Sequence, residues 1–113
     1  MPKRGDVYLA KLDPAQGSEQ GGERPVVVMS RDAINQSSPV VIVVPVTNLT
    51  NKKRIYPSQV VLKAGEGGLK MDSVALGEQV RAINVTRLST HLGHLAPHSV
   101  VAIGGALKAA LDL

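Results

Sequence analysis

Two residues of this chain could grip a phosphate between them if the fold brought them together. Arg24 stands at the mouth of a glycine-rich loop, where an apolar run begins at Pro25. Thr47 stands just past Pro45, at the end of a second apolar run. A guanidinium offers a planar fork of donors that fits phosphate oxygens in pairs, and a hydroxyl can donate beside it. Strands paired at those ends would bring the two to one rim, where Ser18, Glu19 and Gln79 could complete a polar ring. The loop itself, Gly17-Ser18-Glu19-Gln20-Gly21-Gly22-Glu23-Arg24, mixes charge with backbone freedom. A solvated hairpin loop is the plainer reading of that composition.

Three histidines offer a different chemistry. His91, His94 and His98 would share one helix face at spacings of 3 and 4. Gly93 and Pro97 break any such helix, and on a strand His91 and His94 point to opposite faces. No carboxylate lies between Gln79 and Asp112 to complete a local ligand set. A structural or surface role is expected for all three, with no metal and no cofactor. The chain has no cysteine, which excludes disulfides, thiolate metal sites and a cysteine nucleophile. No nucleophile elbow, phosphate-cradling lysine loop or HExxH motif occurs.

Composition narrows the partners. The 113 residues suit one domain, 1–113, and the 43% hydrophobic content is that of a globular chain. Tyr8 and Tyr56 are the only aromatics, so the core must be Val, Leu, Ile, Ala and Met. Recognition of bases by aromatic stacking is correspondingly disfavoured. A net charge of +4 suits a polyanion. Lys52, Lys53 and Arg54 form the tip of a polar stretch, read either as solvated surface or as a phosphate-attracting patch. Neither a signal-peptide core nor a membrane-length apolar run appears, so a cytoplasmic protein is expected. Asn35-Gln36-Ser37, Asn48-Leu49-Thr50 and Asn84-Val85-Thr86 match glycosylation sequons, by coincidence in such a protein.

The elements that must position these residues can be read in order. Residues 5–12 alternate as a strand ended by Asp13-Pro14, and a loop runs from there to Glu23. Residues 25–30 read as a strand buried on both faces, and 31–36 as one helical turn capped by Ser30 or Asp32. Residues 40–47 are the most apolar and β-branched segment and predict a central strand. Pro45 should demote the end of that strand to an edge or bulge, lifting Thr47 out of regular pairing. A short strand over 57–62 and a flexible glycine loop over 63–70 follow. Residues 73–83 predict one long strand bent at Gly77. A helical turn near 86–89 and a weak strand over 91–95 lead to a helix beginning at Pro97. Its apolar face would be Val100, Ile103, Leu107, Ala110 and Leu111. Gly104-Gly105 inside it implies close backbone packing or a frayed end. Five to seven short strands and one helix make a small, strongly twisted barrel the natural architecture.

With those residues in view, three ordered motifs become recognisable. Arg4-Gly5-Asp6-Val7-Tyr8, Asp13-Pro14, Gly17-Ser18-Glu19-Gln20-Gly21-Gly22 and Arg24-Pro25-Val26-Val27-Val28 closely resemble the start of MazF/PemK-type toxins. Pro45-Val46-Thr47 resembles the second motif of that family. Ser73-Val74-Ala75-Leu76-Gly77-Glu78-Gln79-Val80-Arg81-Ala82-Ile83, with Arg87-Leu88, resembles the third.

The resemblance implies a mainly β fold, a small SH3-like (CcdB/PemK-type) barrel with a C-terminal α-helix, forming a homodimer. It implies a sequence-specific, metal-independent endoribonuclease acting on single-stranded mRNA in a groove across the dimer interface. A cognate MazE-like antitoxin would neutralise it by laying a tail in that groove. Arg24 and Thr47 fall on the family's catalytic positions, with Glu19 a candidate base. Ser18, Gln20, Gln79 and Arg81 are carried over as substrate contacts. Leu9 and Gln16 depart from aromatic or apolar residues of many relatives, which leaves the cleavage sequence open. Two other functions remain possible at this point: a toxin of the same barrel class that poisons DNA gyrase through its terminal helix residues, and an RNA-binding module that does not cut.

Overall fold

The most β-branched run of the chain becomes its central strand. The computed structural model describes residues 1–12 and 16–113. In it β3 (Val40–Asn48) pairs with three other strands. Branching at Cβ costs side-chain freedom in a helix and packs well on a pleated surface, which favours the sheet here. Before β3 come β1 (Asp6–Lys11), β2 (Glu23–Val28) and a six-residue helix α1 (Asp32–Ser37). After it come β4 (Gln59–Leu62), β5 (Ser73–Leu76), β6 (Arg81–Asn84) and β7 (Leu88–His94). The helix α2 (Pro97–Leu111) ends the chain.

All pairings are antiparallel, in the order β4-β5-β3-β2-β1-β7 with β6 also on β3. The expected mainly β class with a C-terminal helix is therefore what the chain adopts. Among the described residues no pairing joins β4 to β7, so the sheet does not close into a hydrogen-bonded barrel. Val26, Val27 and Val28 are fully buried, because the sheet has apolar packing on both faces. On one face Val7, Val27, Val44 and Leu62 pack against Ile103 of α2. On the other, Val26, Val28, Val41 and Val43 pack with Leu12 and Ile83.

Several local expectations are corrected. The strand foreseen over 73–83 is two strands, separated by a 3₁₀ turn over Gly77–Gln79. Gly77 donates its N–H to the Ser58 carbonyl at 2.8 Å and lies against Ala106 of α2, so the backbone turns there. Pro45 neither ends β3 nor unpairs Thr47, which pairs regularly with Val74. On one edge β3 is paired with β6 up to Val43 and with β5 from Val46, so Pro45 sits in the gap between the two partners. Neither Ser30 nor Asp32 caps α1. The Ser30 hydroxyl bonds Asn35 Oδ1, Asp32 Oδ1 accepts the Arg4 N–H at 2.8 Å, and Arg31 is the uncapped N-cap. The point where Asp13-Pro14 was expected to end β1, and the beginning of the following loop, lie outside the described residues.

Glycine plays two opposite parts. Residues 63–70 are not a loose loop: Glu66–Gly68 make a 3₁₀ turn pressed against β7. Gly68 has φ +76°, and a Cβ there would collide with the Leu92 backbone carbonyl. Gly104-Gly105, by contrast, makes no close backbone contact and α2 continues through it. A Cβ on Gly105 would meet nothing within 4 Å. Gly68→Ala should therefore lower stability by about 3 kcal/mol through strain and overlap. Gly105→Ala should raise it by about 1 kcal/mol through helix propensity. Urea unfolding of the two variants checks both, and equal midpoints would refute this account of the packing.

Candidate functional site

The β2–β3 ladder pairs Val28 with Val43, Val27 with Val44 and Val26 with Pro45. Antiparallel register carried two positions further sets Arg24 across from Thr47. The ladder stops short of them, while each strand stays paired on its other edge. Arg24 pairs with Ala10 of β1, and Thr47 with Val74 of β5. Between the strand ends lies a cleft of about 380 Å³, lined by Arg24, Pro25, Val46 and Thr47 and floored by Leu9 and Leu92.

Both polar groups are set for an anion. Arg24 Nε donates to the Gly21 carbonyl at 3.0 Å, which anchors the guanidinium by its inner nitrogen. Among the described residues no hydrogen bond or ion pair engages its two terminal nitrogens, the pair that forks onto phosphate. Thr47 is only 5% exposed, and its hydroxyl accepts from Asn51 Nδ2 at 3.2 Å. The hydroxyl proton is left to donate into the cleft. Apolar walls weaken screening by water and so strengthen both interactions.

The other residues singled out from the sequence gather elsewhere. Glu19, Gln20, Gln79 and Arg81 line a second, more polar cleft of about 440 Å³ with Glu78 and Pro45. Gln79 acts there as a tether. Its Oε1 accepts the Gln20 N–H at 2.9 Å, and its Nε2 donates to the Ser18 carbonyl at 3.0 Å. Ser18 thus contributes its backbone to that contact. Glu19 Oε1 accepts the Gln16 N–H at 3.0 Å, and Glu19 does not line the Arg24–Thr47 cleft. Gln20 Oε1 is the one buried side-chain polar atom among the described residues without a partner. Lys52 borders a shallow depression with Tyr56 and Glu78, and Arg54 lies 5.5 Å from the Tyr56 ring centroid in a cation–π contact. Lys53 is exposed, and none of the three lines either cleft.

Sequence reading missed Asn48, Asn51, Lys70 and Met71. The first of these had a visible signal. Asn48 Oδ1 accepts from both the N–H and the hydroxyl of Thr50, and Asn84 does the same with Thr86. Two of the three apparent sequons are thus caps of 3₁₀ turns.

The histidines converge where divergence was expected. Register shifts between β1 and β7 set Gly93 across from Val7 but His91 across from Tyr8. The extra residue, Leu92, bulges and turns His91 and His94 to the same carboxylate. His94 Nδ1 lies 2.7 Å and His91 Nε2 3.4 Å from Asp6 Oδ1. The His91 ring stands edge-on to Tyr8 with centroids 5.0 Å apart. Burial pushes the Asp6 carboxyl up. Hydrogen bonds from His94, the Lys3 N–H and His91 together outweigh that and hold it below its ordinary 3.8. Burial, then the Asp6 charge, pushes the Tyr8 phenol above 10.0.

Sheet order, terminal helix and cleft define a class: a small antiparallel β domain with a cleft lined by an arginine and a threonine where its central ladder ends. Comparison with known proteins goes further. The sequence pattern of the PemK-like, MazF-like toxins of type II toxin–antitoxin systems matches residues 3–111. The chain is 43% identical to the endoribonuclease MazF of Staphylococcus saprophyticus, over all of this chain and 93% of that one. It is 44% identical to the endoribonuclease MazF of Staphylococcus epidermidis, over the same shares. Its fold matches MazF of Deinococcus radiodurans with a TM-score of 0.82 at 27% identity, covering 99% of this chain and 97% of that one. It also matches a MazE–MazF structure from that organism with a TM-score of 0.76 at 26% identity, covering 99% and 96%. The chain belongs to the PemK-like, MazF-like toxin family.

Two outcomes follow from this geometry. Gln79→Ala should speed amide exchange at Gln20 about tenfold by removing its acceptor, and unchanged protection would show that the tether is not held in solution. Asp6 contributes stability while ionised. That contribution is complete above its unfolded-state value and is lost as pH falls through its lower folded value. The stability gap between the parent chain and Asp6→Asn should therefore shrink in acid below 3.8. A gap independent of pH in unfolding curves would contradict the assignment.

Proposed function

We propose that this chain is a sequence-specific endoribonuclease toxin that cuts single-stranded mRNA without a metal. The observation that carries the reading is the cleft at the end of the β2–β3 ladder, where an Arg24 fork whose terminal nitrogens no described residue engages faces the Thr47 hydroxyl. The PemK-like, MazF-like family supports the reading, as do curated relatives named endoribonucleases.

The reaction needs no nucleophile from the protein. The ribose 2′-oxygen attacks the adjacent phosphorus, forming a new P–O bond. The bond from phosphorus to the 5′-oxygen breaks, giving a 2′,3′-cyclic phosphate and a 5′-OH end. Arg24 would hold two phosphate oxygens and stabilise the charge that builds on them. Thr47 would donate a hydrogen bond to a non-bridging oxygen of the same group. The 2′-OH proton must leave, and the departing 5′-oxygen must gain one, which water delivers with the Arg24 guanidinium assisting. Glu19 takes the first in this reading once substrate draws its loop over the cleft. Arginine is too weak an acid to exist as a free base at neutral pH, so it serves electrostatically.

Gln20, Gln79 and Arg81 would contact flanking nucleotides from the second cleft. Lys52, Lys53 and Arg54 would add long-range attraction for RNA. The family supports a homodimer with the RNA groove across its interface, and neutralisation by a MazE-like antitoxin laid in that groove. Solved MazE–MazF structures from Deinococcus radiodurans agree with such a partner.

Arg24→Ala is expected to reduce cleavage of a long RNA in EDTA by at least about a thousandfold, the scale of losing a transition-state donor, with an unchanged thermal melt. Persistent cutting by the purified, folded variant would refute the site. Cutting that stops on EDTA in the parent chain would refute the metal-free mechanism.

A further inference from the structure

The cleft of Arg24 and Thr47 does not end at those residues. Its far wall is the segment running from the turn at Glu66–Gly68 into β5. A second depression of about 430 Å³ opens beyond that wall, beside Leu49, Thr50 and Ala64. Asn48, Lys70 and Met71 line both depressions. The two are one trough crossed by a saddle of three side chains.

The saddle is rigid at its base. Ser73 pairs with Asn48 in the β3–β5 ladder, the Ser73 hydroxyl donates to the Met71 carbonyl at 2.7 Å, and the Leu49 N–H donates to the Asp72 carbonyl at 3.0 Å. Asn48 is fully committed: its oxygen caps the turn to Thr50, and its nitrogen donates to the Met71 thioether at 3.2 Å. Met71 is nonetheless 54% exposed, an unbranched apolar side chain held up at the surface. Lys70 is exposed beside it, and both ion pairs of the described residues fall on Asp6 rather than on Lys70. The acid nearest in sequence, Asp72, has Oδ1 engaged by the Ala64 N–H at 2.9 Å. A cation without a carboxylate and a propped thioether thus sit next to the phosphate-gripping pair.

We infer that Lys70 and Met71 form the subsite for the nucleotide next to the scissile phosphate. The Lys70 ammonium takes the neighbouring phosphodiester, and Met71 covers one face of the base, so the strand crosses the saddle from one depression to the other. This rests on the endoribonuclease reading above. A lysine suits the phosphate role, being a mobile point charge that grips without demanding one geometry. A thioether suits the base, because it is polarisable and adapts to flat faces. No tyrosine competes for that part: Tyr8 is packed with His91, and Tyr56 lies under Arg54.

The test uses the full chain on single-stranded RNA in EDTA across a range of salt. Lys70→Gln should raise KM about tenfold, the worth of one charge-assisted contact, while kcat falls far less. It should also reduce the slope of log(kcat/KM) against log salt by about 0.7, the value for one phosphate on a single strand. Lys70→Arg should restore both. Met71→Ala should change the relative cutting of RNAs that differ only in the nucleotide beside the cut, and leave the salt slope alone. A parent chain that cuts normally, with Lys70→Gln matching it in KM and slope, would overturn this inference and spare the parent reading. Unchanged sequence preference in Met71→Ala would remove the base contact. A parent chain that cuts no RNA would overturn both.

Discussion

The structure turns on one strand having more neighbours than one straight ladder can hold. β3 pairs with β2 along its middle, with β6 along its first half and with β5 along its last residues. Backbone groups buried in a two-sided core must all be hydrogen-bonded, so a strand changes partner only where another is waiting. β2 pairs with β1 on its other edge, from Val27 to Glu23. The β2–β3 pairing runs from Val28 to Val26 and ends there, short of Arg24 and Thr47. The cleft lies beyond the end of that pairing. It costs no separate scaffold, and it carries residues that antiparallel register had already set across from each other.

The site's polar groups are also oriented without being spent. Arg24 is fastened through Nε to Gly21, on the loop that feeds its strand, and no described residue engages its outer fork. Thr47 is fastened by Asn51, from the turn that follows its strand. Each functional side chain is thus positioned by its own local chain, within four residues. The loop behind Arg24 is in turn stitched to Gln79 across the sheet. Preorganisation of this kind lowers the reorganisation that a charged transition state would otherwise require.

Much of this was legible in residue types, and the remainder was not for identifiable reasons. Val-rich runs announced β2 and β3, and Arg24 and Thr47 could be singled out as the ends of two strands whose pairing would bring them together. Register could not be read, because it depends on long-range pairing. That is why Thr47 was expected to leave the ladder at Pro45, whereas the proline falls harmlessly between two partners. It is also why Glu19 was grouped with Arg24 although it lines a neighbouring cleft. His91 and His94 were assigned opposite faces by strict alternation, and a single bulge at Leu92 reversed that. Glycine misled in both directions. At Gly67 and Gly68 it marks tight contact with β7 where mobility was expected, and at Gly105 it marks open space where contact was expected.

That contact matters for how the cleft acquired its third wall. Gly67 sits against Val7 and Leu95, Gly68 against the Leu92 carbonyl, and Gly93 against Gly67, so two backbones touch without side chains between them. Only such an approach lets the turn at Glu66–Gly68 lie flat on β7 and still deliver Leu69 into the core. With Leu69 buried, Lys70 and Met71 are forced outward at the rim, one facing water as a cation and the other exposed as a thioether. The bulge that turns His91 and His94 to Asp6 lies at Leu92, the residue whose carbonyl receives Gly68 and whose side chain floors the cleft. One irregularity in β7 therefore serves the histidine pair, the glycine contact and the floor beneath Arg24 at once. A substitution that straightened β7 would disturb all three together, although they lie on different strands.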